Sequence, residues 1–274
     1  LYKIDDWFEF YDSGNRVNRN ADLLLWNGGD LGGWGELKEL YRWNYRPRSR
    51  ETEDEFQPIV DLVSAANAPA NEYIARMSAI MDIDEVLAEF AMQHIVGNWD
   101  TWGYNRGKNA LIYQRPSDGR FVAIPWDIDF VMGSGASAQE SLTNTALFGF
   151  AQIYSTFGDR YETICRAMAR DVLGSEDLNA YIDRTYALLQ AEGIGATDPA
   201  PVKQFLLDRR AFILGPPMVI TTNAGRDLIT HEREVTIIGT SPYGTTRFEV
   251  NGEPVEATWL TSTSWRTTLE LAYG

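Results

Sequence analysis

Gly97-Asn98-Trp99-Asp100-Thr101-Trp102-Gly103-Tyr104-Asn105-Arg106-Gly107-Lys108-Asn109, then two short apolar runs, then Pro125-Trp126-Asp127-Ile128-Asp129-Phe130, is the stretch that decides the fold. The thirteen-residue opening is a polar, glycine-punctuated loop. The two runs, Asn109–Tyr113 and Arg120–Ile124, flank Arg115-Pro116-Ser117-Asp118-Gly119. Pro and Asp-Gly are turn chemistry, so the spacing predicts a β-hairpin. Immediately upstream, Asp82 followed by Glu85 reads as a capping box. Val86, Leu87, Phe90, Ala91, His94 and Ile95 then form one face of a helix that Gly97 stops.

Farther upstream, Phe56, Ile59, Val60 and Val63 carry helical spacing over 55–66, and Ala68-Pro69 ends that helix. Residues 5–53 are rich in Gly, Asn and Trp. Gly28-Gly29 and Gly32-Gly33-Trp34-Gly35 break every period, which predicts short strands and surface loops. Leu1-Tyr2-Lys3-Ile4 reads as a strand already under way, so a fragment is expected. Downstream, residues 142–214 are helical in pattern, with apolar stripes over 161–172, 178–190 and 201–214. Gly215-Pro216-Pro217 is a breaker. Beyond it come short strands at 218–221, 234–238, 246–250, 256–260 and 265–272, with Asn251-Gly252 as a turn. Such spacing suits a β-sandwich, but residues 218–274 are too few for a complete domain of about 100 residues. The expected class is therefore α+β. It comprises a mostly helical domain over residues 1–214 and a partial Ig-like β-sandwich module over 219–274.

Composition narrows the function classes. Twenty-four Lys and Arg against 39 Asp and Glu give a formal charge of −15, which repels phosphate backbones and anionic lipid and argues against nucleic-acid partners. No window approaches the roughly 18 apolar residues of a membrane span, and residues 1–20 lack a signal-peptide pattern. The 44% hydrophobic fraction excludes intrinsic disorder as the main state. One cysteine and two histidines exclude an internal disulfide and a Cys- or His-rich zinc site.

A helix, a loop carrying Asp100-x4-Asn105, a hairpin and then an apolar-Asp129-Phe130 step is the order of parts that protein kinases use. Phosphoryl transfer asks for a carboxylate near the attacking hydroxyl and for hard oxygen ligands that hold Mg²⁺ against the phosphates. More specifically, Gly97-Asn98-Trp99-Asp100, Asn109-x3-Tyr113 and Ile124-Pro125-Trp126-Asp127-Ile128-Asp129 with Gly133 after it resemble the CotH kinases. That family is named for a spore-coat protein and is found widely in secreted bacterial proteins. The resemblance runs from about Leu1 to Leu214.

The resemblance implies an atypical protein-kinase-like fold that transfers the ATP γ-phosphate to protein Ser/Thr hydroxyls with Mg²⁺ or Mn²⁺, in a secreted or cell-surface bacterial protein. It makes Asp100 the catalytic-loop carboxylate and Asp129 the metal ligand, with Asp127 a weaker metal candidate. Asn105 and Asn109 compete for the asparagine role. Asn105 has the kinase interval from Asp100, and Asn109 has the family's position just before the strand. The family's phosphate-contacting lysine is expected in an upstream lobe that this chain lacks. Lys108 is a substitute on charge alone.

Each of these readings has a plainer counterpart. Asp100 could cap a turn. Asp127 and Asp129, alternating on a strand, could share a face and pair with Arg106 or Lys108. Trp99, Trp102, Trp126 and Cys165 read as packing residues and His94 as a satisfied buried group; His231 has no suitable partners. Gly28–Gly35 lacks phosphate-loop spacing. Two other functions use the same residues. One is an inactive kinase-like scaffold that binds protein or glycan, and the other is a metal-dependent phosphoester hydrolase.

Overall fold

The computed structural model describes residues 1–4, 41–42, 44–104, 107–145, 148–215, 218–242, 245, 247–261 and 263–271. It is an α+β protein with two compact units, Leu1–Cys165 and Arg166–Gly274. The glycine-rich 28–35 segment lies outside the described residues.

The first unit is built around an antiparallel sheet of order β2-β1-β3-β4, with β1 Tyr2–Ile4, β2 Tyr45–Pro47, β3 Ala110–Gln114 and β4 Phe121–Pro125. The expected strand at the start of the chain thus sits in the middle of the sheet. Tyr2 lies across from Pro47 on one side and Ile112 on the other. β3 and β4 form the expected hairpin, with Ala110 across from Pro125 and Gln114 across from Phe121. Its turn closes through Arg115 N–H to Arg120 O at 2.9 Å and Gly119 N–H to Arg115 O at 2.8 Å. Gly119 takes φ 72, which a residue with a Cβ avoids.

Three helices precede the hairpin. α1 Gln57–Ala66 begins with a proline in its first turn, where a missing N–H costs nothing, and buries Ile59, Leu62 and Val63. α2 Ala70–Ile80 was not expected from the sequence. Its stripe is narrow, only Tyr73 and Met77 being buried, so its periodicity is weak; Pro69 at its N-cap was the available signal. α3 Ile83–Val96 matches the reading, but its cap differs. Asp82 accepts from Glu85 N–H at 3.5 Å, whereas Glu85 does not return the bond. The Asp82 N–H goes to Phe121 O at 2.9 Å, and Glu85 Oε2 accepts from Ala123 N–H at 3.2 Å. The capping pair therefore ties the helix start to β4. α3 is buried on several sides, carrying Glu89, Gln93 and His94 inward beside Val86, Leu87 and Phe90. A fully buried Leu or Phe contributes roughly 1.5–3 kcal/mol, and Leu87 and Phe90 are at most 1% exposed.

The run from 142 divides into α4 Phe148–Thr156 and α5 Gly158–Asp171, the latter spanning the boundary between the units. Within the second unit, α6 Glu176–Ala191 and α7 Ala200–Leu214 are followed by a sheet of order β5-β6-β10-β9. Its strands are β5 Val219–Ile220, β6 Glu234–Thr240, β9 Thr258–Trp259 and β10 Ser264–Glu270. A separate hairpin pairs β7 Phe248–Val250 with β8 Glu253–Val255 across Asn251-Gly252, both at positive φ as a tight two-residue turn requires. Phe248 packs on Trp265 and Trp259 at 4.7 and 5.6 Å between ring centroids. Gly239 leaves room for Trp265, since a Cβ there would lie 2.5 Å from its ring.

Candidate functional site

The end of α3 organises the site. Gly97, at φ 74, closes the helix with its N–H on His94 O, and Asn98 N–H reaches back to Gln93 O at 2.9 Å. This left-handed stop turns the chain sharply and places Asp100 three residues after Gly97. Asp100 is buried, at 7% exposure. Asn109 lies at φ 55, a conformation asparagine tolerates better than most residues. That backbone turns its amide into the loop, where Nδ2 donates to Asp100 O at 2.8 Å and to Asp100 Oδ2 at 3.2 Å. Lys108 Nζ lies 3.2 Å from the same Oδ2. Thr101 Oγ1 donates to Asn109 O at 3.2 Å, and Trp102 N–H donates to Lys108 O at 2.7 Å. The base of the loop is thus closed from both ends, directly before β3.

Aromatic packing holds the loop from below. Trp102 meets Phe90 and Phe150 edge-on at 5.9 and 4.9 Å, and Tyr104 stacks on His94 at 4.3 Å. His94 is 1% exposed with ring nitrogens 3.0 Å from Phe90 O and 2.9 Å from Asn144 O, a satisfied core residue. Tyr154 OH donates to Gly103 O at 2.8 Å, pinning the loop's crest.

The second arm leaves the hairpin at Pro125. The strand stops there, and Asp127 adopts φ 57, so the expected alternation of Asp127 and Asp129 along a strand does not occur. Left-handed backbone at a non-glycine residue costs about 1–2 kcal/mol and persists where its surroundings impose it. Those surroundings are again the end of α3. Met132 N–H donates to Val96 O at 2.7 Å, Ala136 N–H donates to Gly97 O at 2.9 Å, and Trp99 meets Phe130 at 6.0 Å. Gly135 makes the approach feasible, because a Cβ there would fall 2.2 Å from Phe130 O and 2.3 Å from Gly97 O. The sequence reading noted Gly133, at φ 98, but missed Gly135; only the close approach of two backbones reveals its role.

Asp127 and Asp129 are both exposed, and Lys108 pairs with Asp100. Trp102 packs as expected, whereas Trp126 is half exposed, in line with Ile124, Ile128 and Phe130. Asn105 and Arg106 lie outside the described residues, and with them the Asn105 assignment and the Arg106 pairing. Among the described residues, no three His, Cys, Asp or Glu side chains group as a metal site. No described helix is long and apolar enough to cross a membrane.

Against known families, the profile described as CotH kinase protein matches residues 15–199, more than half the chain. The chain belongs to the CotH kinase family. The match spans the Asp100 loop, the hairpin and the Asp129 arm, and identifies a kinase-like domain. No curated protein matches the chain. CotH membership carries with it, in general terms, nucleotide and divalent-metal use and a protein substrate, and it accords with the α+β architecture.

Proposed function

We propose that this CotH protein transfers the γ-phosphate of ATP to Ser or Thr hydroxyls of a protein, at a site formed by the Asp100 loop and the Asp129 arm. The domain limits proposed are residues 1–214 for the kinase-like domain and 219–274 for a partial Ig-like module, in a secreted or cell-surface protein. The observation that carries the reading is the docking of both arms on Val96 and Gly97, which joins a buried carboxylate to an exposed one across the Trp99–Phe130 contact.

The donor set fits a nucleotide-bound divalent cation. Kinase metal sites use one aspartate and one asparagine, with phosphate oxygens completing the shell, so a cluster of three acidic side chains is not required. Asp129 offers an exposed carboxylate, with Asp127 two residues away. Asn109 commits its Nδ2 to Asp100, which leaves Oδ1 as its ligating end and favours it over Asn105 for the metal. When bound, the cation would neutralise charge on the transferring phosphoryl group. Asp100 orients the acceptor hydroxyl and accepts its hydrogen bond. Lys108 and Asn109 both meet its Oδ2 and so fix that carboxylate in direction. The position of Lys108 beside Asp100 also supports a contact to phosphate.

Calorimetry of ATP binding with Mg²⁺, Mn²⁺ or chelator, on the native chain and on Asp129→Asn, tests the reading. Metal-dependent binding that the substitution abolishes is expected, and Asp100→Asn should retain binding while losing transfer to protein. ATP binding that ignores both the metal and Asp129 would overturn the assignment. Phosphate release without protein labelling would indicate a hydrolase, and no nucleotide binding a scaffold.

A further inference from the structure

Glu89 is a buried acid that the proposed chemistry leaves unused. It faces inward from α3 at 8% exposure, and no cation pairs with it among the described residues. Its partner is Gln93, one turn on, whose Nε2 donates to Glu89 Oε1 at 2.7 Å. Gln93 Oε1 in turn accepts from Asn98 Nδ2 at 2.8 Å. Asn98 is fully buried, and its Oδ1 is an acceptor with no partner among the described residues. The three side chains form a ladder from the middle of the helix to a residue two positions before Asp100.

The polarity of this ladder has one source. A carboxylate can only accept, so Gln93 must turn its NH₂ toward Glu89 and its oxygen toward Asn98. Asn98 must then turn its NH₂ toward Gln93, which leaves its oxygen aimed where no described residue donates. Protonation reverses the chain. A neutral Glu89 donates to Gln93 Oε1, the flipped Gln93 Nε2 donates to Asn98 Oδ1, and the Asn98 NH₂ takes the far position. One proton from solvent therefore exchanges an acceptor for a donor beside the Asp100 loop, through two amide flips.

We propose that Glu89 is a positioning residue whose proton state sets the polarity of the Glu89–Gln93–Asn98 ladder and, through Asn98, the seating of the Asp100 loop. Burial pushes the Glu89 carboxyl up to about 7, the Gln93 hydrogen bond opposes this, and Glu85 adds to it. Among the described residues, the titratable groups coupled to Glu89 are Glu85 on α3 and the Tyr154 phenol on α4. Tyr154 holds Gly103 O, and its hydroxyl lies 3.4 Å from His94 Nδ1. Glu85 in turn feels Asp82 and Arg115.

The orphaned Asn98 oxygen is the independent sign that the ladder has a second state. Reversal gives that oxygen a donor in Gln93 Nε2 and passes the far position to the Asn98 NH₂. The link from Asn98 to phosphoryl transfer rests on the function proposed above, whereas the coupling of Glu89 to Asn98 does not.

Nuclear magnetic resonance on the whole chain without nucleotide separates the two. The Glu89 carboxyl carbon and the Asn98 side-chain NH₂ are followed from pH 5 to 9, in the native chain and in Glu89→Gln. A shared midpoint close to 7 is expected, with the Asn98 step abolished in the variant. An Asn98 signal that stays flat while Glu89 titrates, or a step that persists in Glu89→Gln, overturns the proposal even if ATP binding is normal. Should Glu89→Gln fail to fold, co-titration of the two groups in the native chain decides alone. Where transfer is measurable, the inflection of kcat near neutrality should disappear in the variant with KM for ATP unchanged.

Discussion

Gly135→Ala tests the docking of the two arms. An added Cβ would sit 2.2 Å from Phe130 O and 2.3 Å from Gly97 O. Tolerated carbon–oxygen contacts begin near 3.3 Å, so each overlap is about 1 Å. Both obstacles are backbone, and neither can rotate away. Relief requires the 130–136 segment to lift from the end of α3, which stretches or breaks the Ala136 N–H to Gly97 O bond of 2.9 Å. Overpacking strain of about 1–3 kcal/mol and a lost hydrogen bond of about 0.5–1.5 kcal/mol together predict a destabilisation of roughly 2–4 kcal/mol. At about 2–4 °C per kcal/mol for a domain of this size, the melting temperature should fall by on the order of 10 °C.

Gly119→Ala is the control. It has a left-handed φ of 72 but nothing within 4 Å, so only the backbone cost of about 1–2 kcal/mol applies and the site is untouched. Thermal melts of both variants, with metal-dependent ATP binding on each, form the assay. A Gly135→Ala chain that melts within 1 °C of the native protein and binds ATP equally would refute the docking geometry.

Acid stability should depend on the hairpin turn. Arg115 and Arg120 beside Asp118 hold its carboxyl well below the usual carboxylate range. The folded value is depressed, so the contribution is present above about pH 4 and is lost as pH falls further; Asp118→Asn should flatten the acid limb of a melting-temperature profile. Glu89 acts with the opposite sign. Its folded value is raised from 4.5 to about 7, so the folded state binds more protons between those limits and stability declines as pH rises through them. Glu89→Gln should remove that slope, on the order of 3 kcal/mol across the interval, measured by urea unfolding at pH 5 and 8. In the second unit, Gly239→Ala would press a Cβ against the Trp265 ring and Val219 O, at 2.5 and 2.6 Å. A destabilisation of about 1–3 kcal/mol, read by amide hydrogen exchange in β6 and β10, is expected.

Local chemistry made several elements legible before the structure. Asp82 and Gly97 bracket α3 because a side-chain acceptor and a left-handed glycine satisfy helix ends with residues adjacent in sequence. The Pro116 and Asp118-Gly119 turn fixes the hairpin register for the same reason, as Asn251-Gly252 does for β7 and β8. The sequence also placed Asp100 at the end of α3 and an asparagine at the mouth of β3. α2 escaped notice because two buried residues make a faint stripe.

The rest depends on contacts between distant segments. That Asn109 turns its amide onto Asp100, that Lys108 pairs with Asp100, and that Asp127 leaves the strand conformation are consequences of loop closure and of the Met132 and Ala136 bonds to the end of α3. Gly135 looks like any loop glycine until the carbonyls of Phe130 and Gly97 are seen against it. Glu89 looks like a surface charge until both sides of α3 are covered. The sequence by itself determined the order of parts and the residues able to cap, turn and ligate, because those properties belong to single residues and their neighbours. The tertiary structure alone decided which carboxylate is buried, which is exposed and which carries a raised proton affinity, because burial and long-range hydrogen bonds exist only once the segments meet.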